Sequence, residues 1–220
     1  MPSNTDMNQL KRLSFVVTLS CLCSSLVFAE SIDCSNSKAE LKICSKTFSE
    51  ARKQLNNKYL SAYLVTDAPL QLLQDTQTLW LRQTQQCKTN SCIQQQFDVR
   101  GDDLNFYASL KQTLTQHYLK FENGHIASQP VHLQIHQLAK DKIKIEGLAY
   151  RNPNNRKETQ TVSLMAYSSP EQKSEILDNE HNCKYKFDFQ KALLIVKTQQ
   201  KGCERFTGIY RLYDLSLIHI

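Results

Sequence analysis

Apolar positions recur at helical spacing through the first half of this chain and alternate through the second. Leu41, Cys44, Phe48, Ala51, Leu55, Tyr59, Ala62 and Tyr63 form one helical stripe. They predict a helix from residue 37 to about 66, opened by a Ser37-Lys38-Ala39-Glu40 capping box in which serine and glutamate satisfy the first turn reciprocally. A second helix is expected from Asp67, with Pro69 tolerated in its first turn and a stripe of Leu73, Thr76, Leu79, Trp80, Gln83 and Cys87. A third, capped by Ser91, carries Ile93, Phe97, Leu104, Tyr107, Leu110 and Leu114. Gly101 costs that helix up to about 1 kcal/mol. Glu122-Asn123-Gly124 reads as its end.

Beyond Gly124 the period changes to two. Val131, Leu133 and Ile135 alternate with His132, Gln134 and His136, and Ile143 and Ile145 alternate with Lys142, Lys144 and Glu146. Further strands are expected at 161–167, 184–189, 192–196 and 208–213, with a turn at Asn152-Pro153-Asn154-Asn155. Strands without intervening helices predict an antiparallel sheet, closed or sandwiched. The fold class is therefore α+β: a three-helix, disulfide-stapled domain over residues 30–124, then an antiparallel β-sheet or barrel domain over 125–214.

The chain opens with Lys11-Arg12, an apolar run from Ser14 to Phe28 and a small-residue cleavage pattern at Val27-Phe28-Ala29. This reads as a secretory signal peptide over residues 1–29, with Met7 as an alternative start. The run is shorter than the roughly 20 residues that span a bilayer. Neither Thr18-Leu19-Ser20-Cys21 nor Ser20-Cys21-Leu22-Cys23 makes a good lipobox. A periplasmic or secreted location follows, with no transmembrane segment in the mature chain. Leu215-Ser216-Leu217-Ile218-His219-Ile220 resembles a translated adapter tail, so residues 215–220 are treated as an artefact of assembly.

Export changes the meaning of the cysteines. Cys21 and Cys23 leave with the leader, and Cys34, Cys44, Cys87, Cys92, Cys183 and Cys203 remain as an even set, which in an exported chain reads as disulfides. Metal sites favour short Cys-x2-Cys or His-x3-His pairs, and no two of these six cysteines lie closer than five positions. Cys34 with Cys44 would tie the leading segment along the first helix, worth roughly 3 kcal/mol in the chain-entropy model. Cys87 with Cys92 would close the turn between the second and third helices. The rival Cys44–Cys87 pairing joins the two helices directly and would be worth roughly 4 kcal/mol, so energetics leaves the choice open; local pairing is the favoured expectation. Cys183 with Cys203 would staple a β-hairpin.

Loss of Asp6, Lys11 and Arg12 with the leader lowers the net charge from +6 to +5. The basic excess lies after residue 123 and is diffuse, with no Lys/Arg run longer than two. It fits a solvated sheet face, or weak attraction to anionic envelope polymers. It makes no stripe of the kind that binds nucleic acid.

Cys34, Glu40-Leu41-Lys42-Ile43-Cys44 and Leu55-Asn56-Asn57-Lys58-Tyr59 precede Gln77-Thr78-Leu79-Trp80-Leu81, and Cys87, Cys92-Ile93, Phe97, Arg100 and Leu104 follow. Over about residues 33–105 this series resembles the lysozyme inhibitor LprI-like N-terminal domain family. The family usually carries an arginine four residues after the tryptophan. Here that position is Thr84, and Arg82 lies on another helix face. The resemblance implies an exported, mostly helical module without enzymatic activity and, for some members, inhibition of lysozyme. It supplies no binding residues to carry over. Segments 182–187 and 202–210 resemble, more loosely, β modules appended to such domains in Gram-negative bacteria.

Candidate chemistry adds little. Trp80 sits on a helix stripe and reads as core. His132 and His136 share a strand face but lie about 13 Å apart along it, too far to clasp one ion unaided, and read as surface residues. Asp102-Asp103 reads as a solvated helix face. No Gly-x-Ser-x-Gly, His-Glu-x-x-His or phosphate-loop pattern occurs, and paired cysteines leave no thiol nucleophile. The expectation is a non-enzymatic binding protein without a cofactor or metal, its partner lysozyme, another envelope protein or a glycan.

Overall fold

The computed structural model describes Ile32, Cys34 and residues 41–154 and 162–213. The expected leader, the Ser37–Glu40 capping box and the 215–220 tail lie outside the described residues. Three α-helices are followed by one nearly closed antiparallel sheet.

Helix α1 spans Ser49–Val65, α2 spans Leu70–Gln85 and α3 spans Asn90–Ser109. The helix expected from residue 37 therefore begins at Ser49, after two 3-10 turns at Lys42–Cys44 and Lys46–Phe48. Ser45 between them is extended (φ −60°, ψ 157°), and Arg52 Nη1 reaches back to donate to the carbonyls of Ile43 at 2.7 Å and Ser45 at 2.8 Å. The apolar stripe runs unbroken through this step, so periodicity could not reveal it. Pro69 immediately precedes α2, where its missing N–H costs nothing. Thr89, two residues earlier than the expected Ser91, caps α3 by accepting from Cys92 N at 3.2 Å. Gly101 leaves room for Lys58 of α1, whose Nζ donates to the Gly101 carbonyl at 3.3 Å.

Helix α3 ends at Ser109 rather than continuing through Leu114. Leu110 turns extended, and the Gln112 side-chain amide donates to the exposed helix-end carbonyls of Phe106 at 2.8 Å and Leu110 at 3.3 Å. Strand β1 follows at Thr115–Glu122, so the change of secondary structure falls one strand before Gly124. The remaining strands are β2 (His125–Ile126), β3 (Val131–Ala139), β4 (Lys142–Ala149), β5 (Ser163–Ser168), β6 (Glu175–Leu177), β7 (Lys184–Gln190), β8 (Leu193–Lys197) and β9 (Gly208–Tyr213).

The sheet order is β5-β4-β3-β1-β9-β8-β7-β6, with β2 paired to β1. The unexpected β1 thus sits at the centre, between β3 and the last strand. The two outer strands are drawn together by Asp178: its Oδ1 accepts from Met165 N at 3.0 Å, and Asn179 N donates to Met165 O at 2.8 Å. Asp178 also accepts from the backbone N–H groups of Glu180 and His181 and bonds His181 Nδ1. Closure removes the exposed edges that an open sheet would present.

Inside the barrel pack Tyr118, Leu133, Ile145, Leu164, Phe187, Phe206 and Tyr210. Phe206 lies against Gly147, where an added Cβ would stand 2.6 Å from Phe206 Cε1 and 2.8 Å from Leu133 Cδ2. Gly147→Ala should therefore destabilise the protein by about 1–3 kcal/mol through overpacking. Thermal melts check this, and Phe206→Leu in the same chain should recover part of the loss. An unchanged melting temperature for Gly147→Ala would show that the ring can move aside.

The helices pack on the outside of the barrel. Their core of Phe48, Leu55, Leu72, Trp80, Phe97 and Leu104 takes in Leu119 of β1 and Tyr150 after β4, with Leu148 and Tyr213 packed against it. Tyr213 also donates to Asp75 Oδ2 of α2 at 2.5 Å. Disulfides join Cys34 to Cys44, Cys87 to Cys92 and Cys183 to Cys203. The first two are the local pairings, and Cys44 is not linked to Cys87. Asn154, in the turn expected at 152–155, accepts from Lys88 N at 3.0 Å and donates to Gln86 O, which ties the barrel to the turn closed by Cys87–Cys92.

Candidate functional site

The seam between helices and barrel gathers most of the buried polar side chains. Because the helices cover the outer face of β1 and β3, His132 (1% exposed) and His136 (6%) are buried, as is His117 (1%). The expectation of surface histidines is corrected here: polar alternation on a strand marks the side away from the barrel core, and in this fold that side is also covered.

The histidines form a directed chain. Gln112 spends its amide N–H groups on α3 carbonyls, so its Oε1 must accept, and His117 Nε2, 3.0 Å away, must donate. In neutral His117 the other nitrogen then accepts, so His132 Nε2 donates to His117 Nδ1 across 3.1 Å. This leaves His132 Nδ1 without a proton and without a partner. His117 stacks on Tyr107 with parallel rings 5.9 Å apart. His136 Nδ1 bonds Thr115 Oγ1 at 2.6 Å. Burial, with His132 and His136 nearby, holds the His117 pKa well below that of a free imidazole. Burial and then the Arg100 charge bring His132 down to about 3. Burial, then Lys144, lowers His136.

Next to this chain lies an ion pair. Arg100 Nη1 donates to Asp103 Oδ2, with both residues buried. Arg100 Nε donates to Gln77 Oε1 at 2.9 Å, and Nη2 reaches Thr76 Oγ1 at 3.3 Å and Leu73 O at 3.4 Å. Asp103 was expected on a solvated face with Asp102; only Asp102 is exposed. Burial raises the Asp103 pKa, against the lowering effect of Arg100. Trp80 is core, as its stripe predicts, and its Nε1 donates to Gln96 O at 2.8 Å. Thr84, where the resembled family has arginine, is buried and donates back to Trp80 O at 2.9 Å, while Arg82 is exposed.

Three concavities are candidates for binding. A cavity of about 110 Å³ lies between α2, α3 and the end of β4, lined by Trp80, Gln83, Arg100, Asp103, Leu148 and Tyr150. A groove of about 420 Å³ runs between residues 41–43 and 84–88. Both helical-domain disulfides flank it, and Lys42 Nζ donates across it to Lys88 O at 3.1 Å. A wider hollow of about 840 Å³ crosses β6, β7 and β8 and is lined by Lys184, Lys186, Lys197 and Tyr185.

Comparison with protein-family models, with curated proteins and with solved structures finds no match. The geometry therefore carries the functional reading. The three disulfides fit an oxidising compartment, and no described helix is long and apolar enough to cross a membrane. Among the described residues, Asp178, Glu180 and His181 form the one group of three carboxylate and imidazole side chains close enough to share an ion, but Asp178 already serves the barrel closure. Sequence reasoning missed His117 and Gln112 because both were assigned to the third helix or its end. The run Thr-Gln-His-Tyr-Leu-Lys-Phe-Glu at 115–122 is rich in strand-forming residues and is the signal that could have found them.

Proposed function

We propose that the chain is an exported, non-enzymatic binding protein of the cell envelope with lysozyme as its target, as its likeness to the LprI-like domain implies. The observation that supports this reading is the disulfide-flanked groove. Leu41, Lys42 and Ile43 meet Cys87 across it, and all four are among the residues that carry the likeness. A groove held by Cys34–Cys44 and Cys87–Cys92 loses little conformational freedom on binding, which favours affinity. Arg100, Asp103, Gln112 and His117 of the seam are engaged in structural hydrogen bonds, in keeping with a recognition role.

A second reading, an accessory protein that binds an anionic envelope glycan, is favoured by the lysine-lined hollow across β6–β8. Net positive charge also steers association toward polyanions and away from a basic lysozyme. A turbidity assay with the exported protein separates the two. Inhibition of lysozyme at micromolar protein, lost when Lys42 and Lys88 are both changed to glutamate, supports the first. Absence of inhibition, with salt-sensitive retention on peptidoglycan, rejects the first in favour of the second.

A further inference from the structure

The 110 Å³ cavity at the helix–barrel seam contains two buried donors that the protein leaves unanswered. Gln83 Nε2 and the Tyr150 hydroxyl have no hydrogen-bond partner, and their residues are 8% and 7% exposed. Buried polar groups are nearly always satisfied, so each such exception asks for a cause. The space exceeds the roughly 10–15 Å³ that one water requires. Trp80 and Leu148 supply apolar wall, and the exposed Gln95 marks the mouth.

The charge inside is already balanced. Arg100 is engaged by Asp103, Gln77, Thr76 and the Leu73 carbonyl, and Arg151, the other cation of the lining, is likewise not free, so an ionised ligand would be desolvated with no unused countercharge to meet it. An uncharged ligand with a strong acceptor fits the two neutral donors. A carbonyl oxygen carries two lone pairs and can accept from both.

We propose that this cavity binds a small uncharged amide, the acetamido group being the unit that fits it. The carbonyl oxygen takes Gln83 Nε2 and the Tyr150 hydroxyl. The methyl lies against Trp80 and Leu148, and the amide N–H faces the Asp103 carboxylate. Two sources offer this chemistry: a free small amide, and the N-acetyl group of an amino sugar. The site is separate from the groove and the lysine hollow, so it stands or falls independently of the lysozyme and polyanion readings.

The test is an NMR titration of the full exported chain with acetamide, N-acetylglucosamine, glucosamine and glucose. Acetamide or N-acetylglucosamine should shift the Trp80 indole N–H and the Gln83 side-chain amide, while glucosamine and glucose leave both in place. A response to acetamide alone identifies a free-amide site; a response to N-acetylglucosamine identifies an amino-sugar site. Tyr150→Phe deletes an unpartnered hydroxyl, so it should melt no lower than the parent and bind about tenfold more weakly. Gln83→Met provides a second variant with the same expected loss of binding. Absence of shifts up to the solubility limit, or equal shifts with glucose, overturns the proposal. So does a Tyr150→Phe variant that loses stability but not binding, because the hydroxyl then serves a structural water.

Discussion

Asp103→Ala is expected to cost the folded state about 3–5 kcal/mol, because it strands the buried Arg100 guanidinium. The direct partner lost is the Asp103 carboxylate; Gln77, Thr76 and Leu73 continue to accept from Arg100 but bring no charge. The loss should appear in urea melts as a lower midpoint with an unchanged slope. Arg100→Leu with Asp103→Leu should recover much of it, since replacing both members of a buried pair by apolar groups is often neutral or stabilising. The two single changes should therefore be strongly non-additive. A single-variant cost near zero would mean that water entering through the adjacent cavity solvates Arg100. The pair would then be a partly hydrated feature of that cavity rather than a dry one.

Mild acid should destabilise the protein steeply. His117 and His132 are neutral and buried in the native state, with pKa values held below that of a free imidazole. In the unfolded chain both protonate around pH 6.5. Below that pH the unfolded state binds more protons than the native state, so stability falls as pH falls. Each group contributes a slope of about 1.4 kcal/mol per pH unit, or roughly 2.7 kcal/mol per unit for the two. The loss begins near pH 6.5 and, for His132, continues until about 3, where the native imidazole itself accepts a proton. His136 shifts in the same direction. Asp103 works the other way, because its raised pKa lets the native state take up a proton first as pH falls. It is one group against two, and it offsets one proton of the slope from its raised pKa down to the ordinary carboxylate value of the unfolded chain.

The structural cause is visible in the hydrogen-bond direction: an added proton would go to His132 Nδ1, which has no acceptor to receive it. Urea midpoints measured from pH 7.5 to pH 5 at constant ionic strength check this. His132→Gln should remove one proton from the slope whatever it does to the neutral-pH stability. A flat profile across that range would mean that the histidines are hydrated and titrate normally in the native state.

Several elements could be read from residues 41–213 without coordinates. The stripe through Leu55, Tyr59 and Ala62 and the one through Leu73, Thr76 and Trp80 are the buried faces of α1 and α2. Val131, Leu133 and Ile135 do face the barrel core. These succeed because one element with one buried face imposes its own period on the sequence. Strand β1 escaped notice because both of its faces are covered. Tyr118 points into the barrel while His117 and Leu119 lie under the helices, so little polar alternation survives to separate it from the preceding helix.

The α+β succession, the helix and strand cores, and an even cysteine set suited to local staples are legible in the residues alone. These depend on neighbours a few residues apart, whose period and spacing are written directly in the chain. That the helices lie across the outer face of the barrel emerges only in the folded chain. That placement turns His132 and His136 from surface residues into buried ones, buries the pair that Arg100 and Asp103 make one turn apart on α3, and encloses Gln83 and Tyr150 around a cavity. Whether a polar side chain is solvated or desolvated depends on which distant element covers it, and no local pattern carries that information.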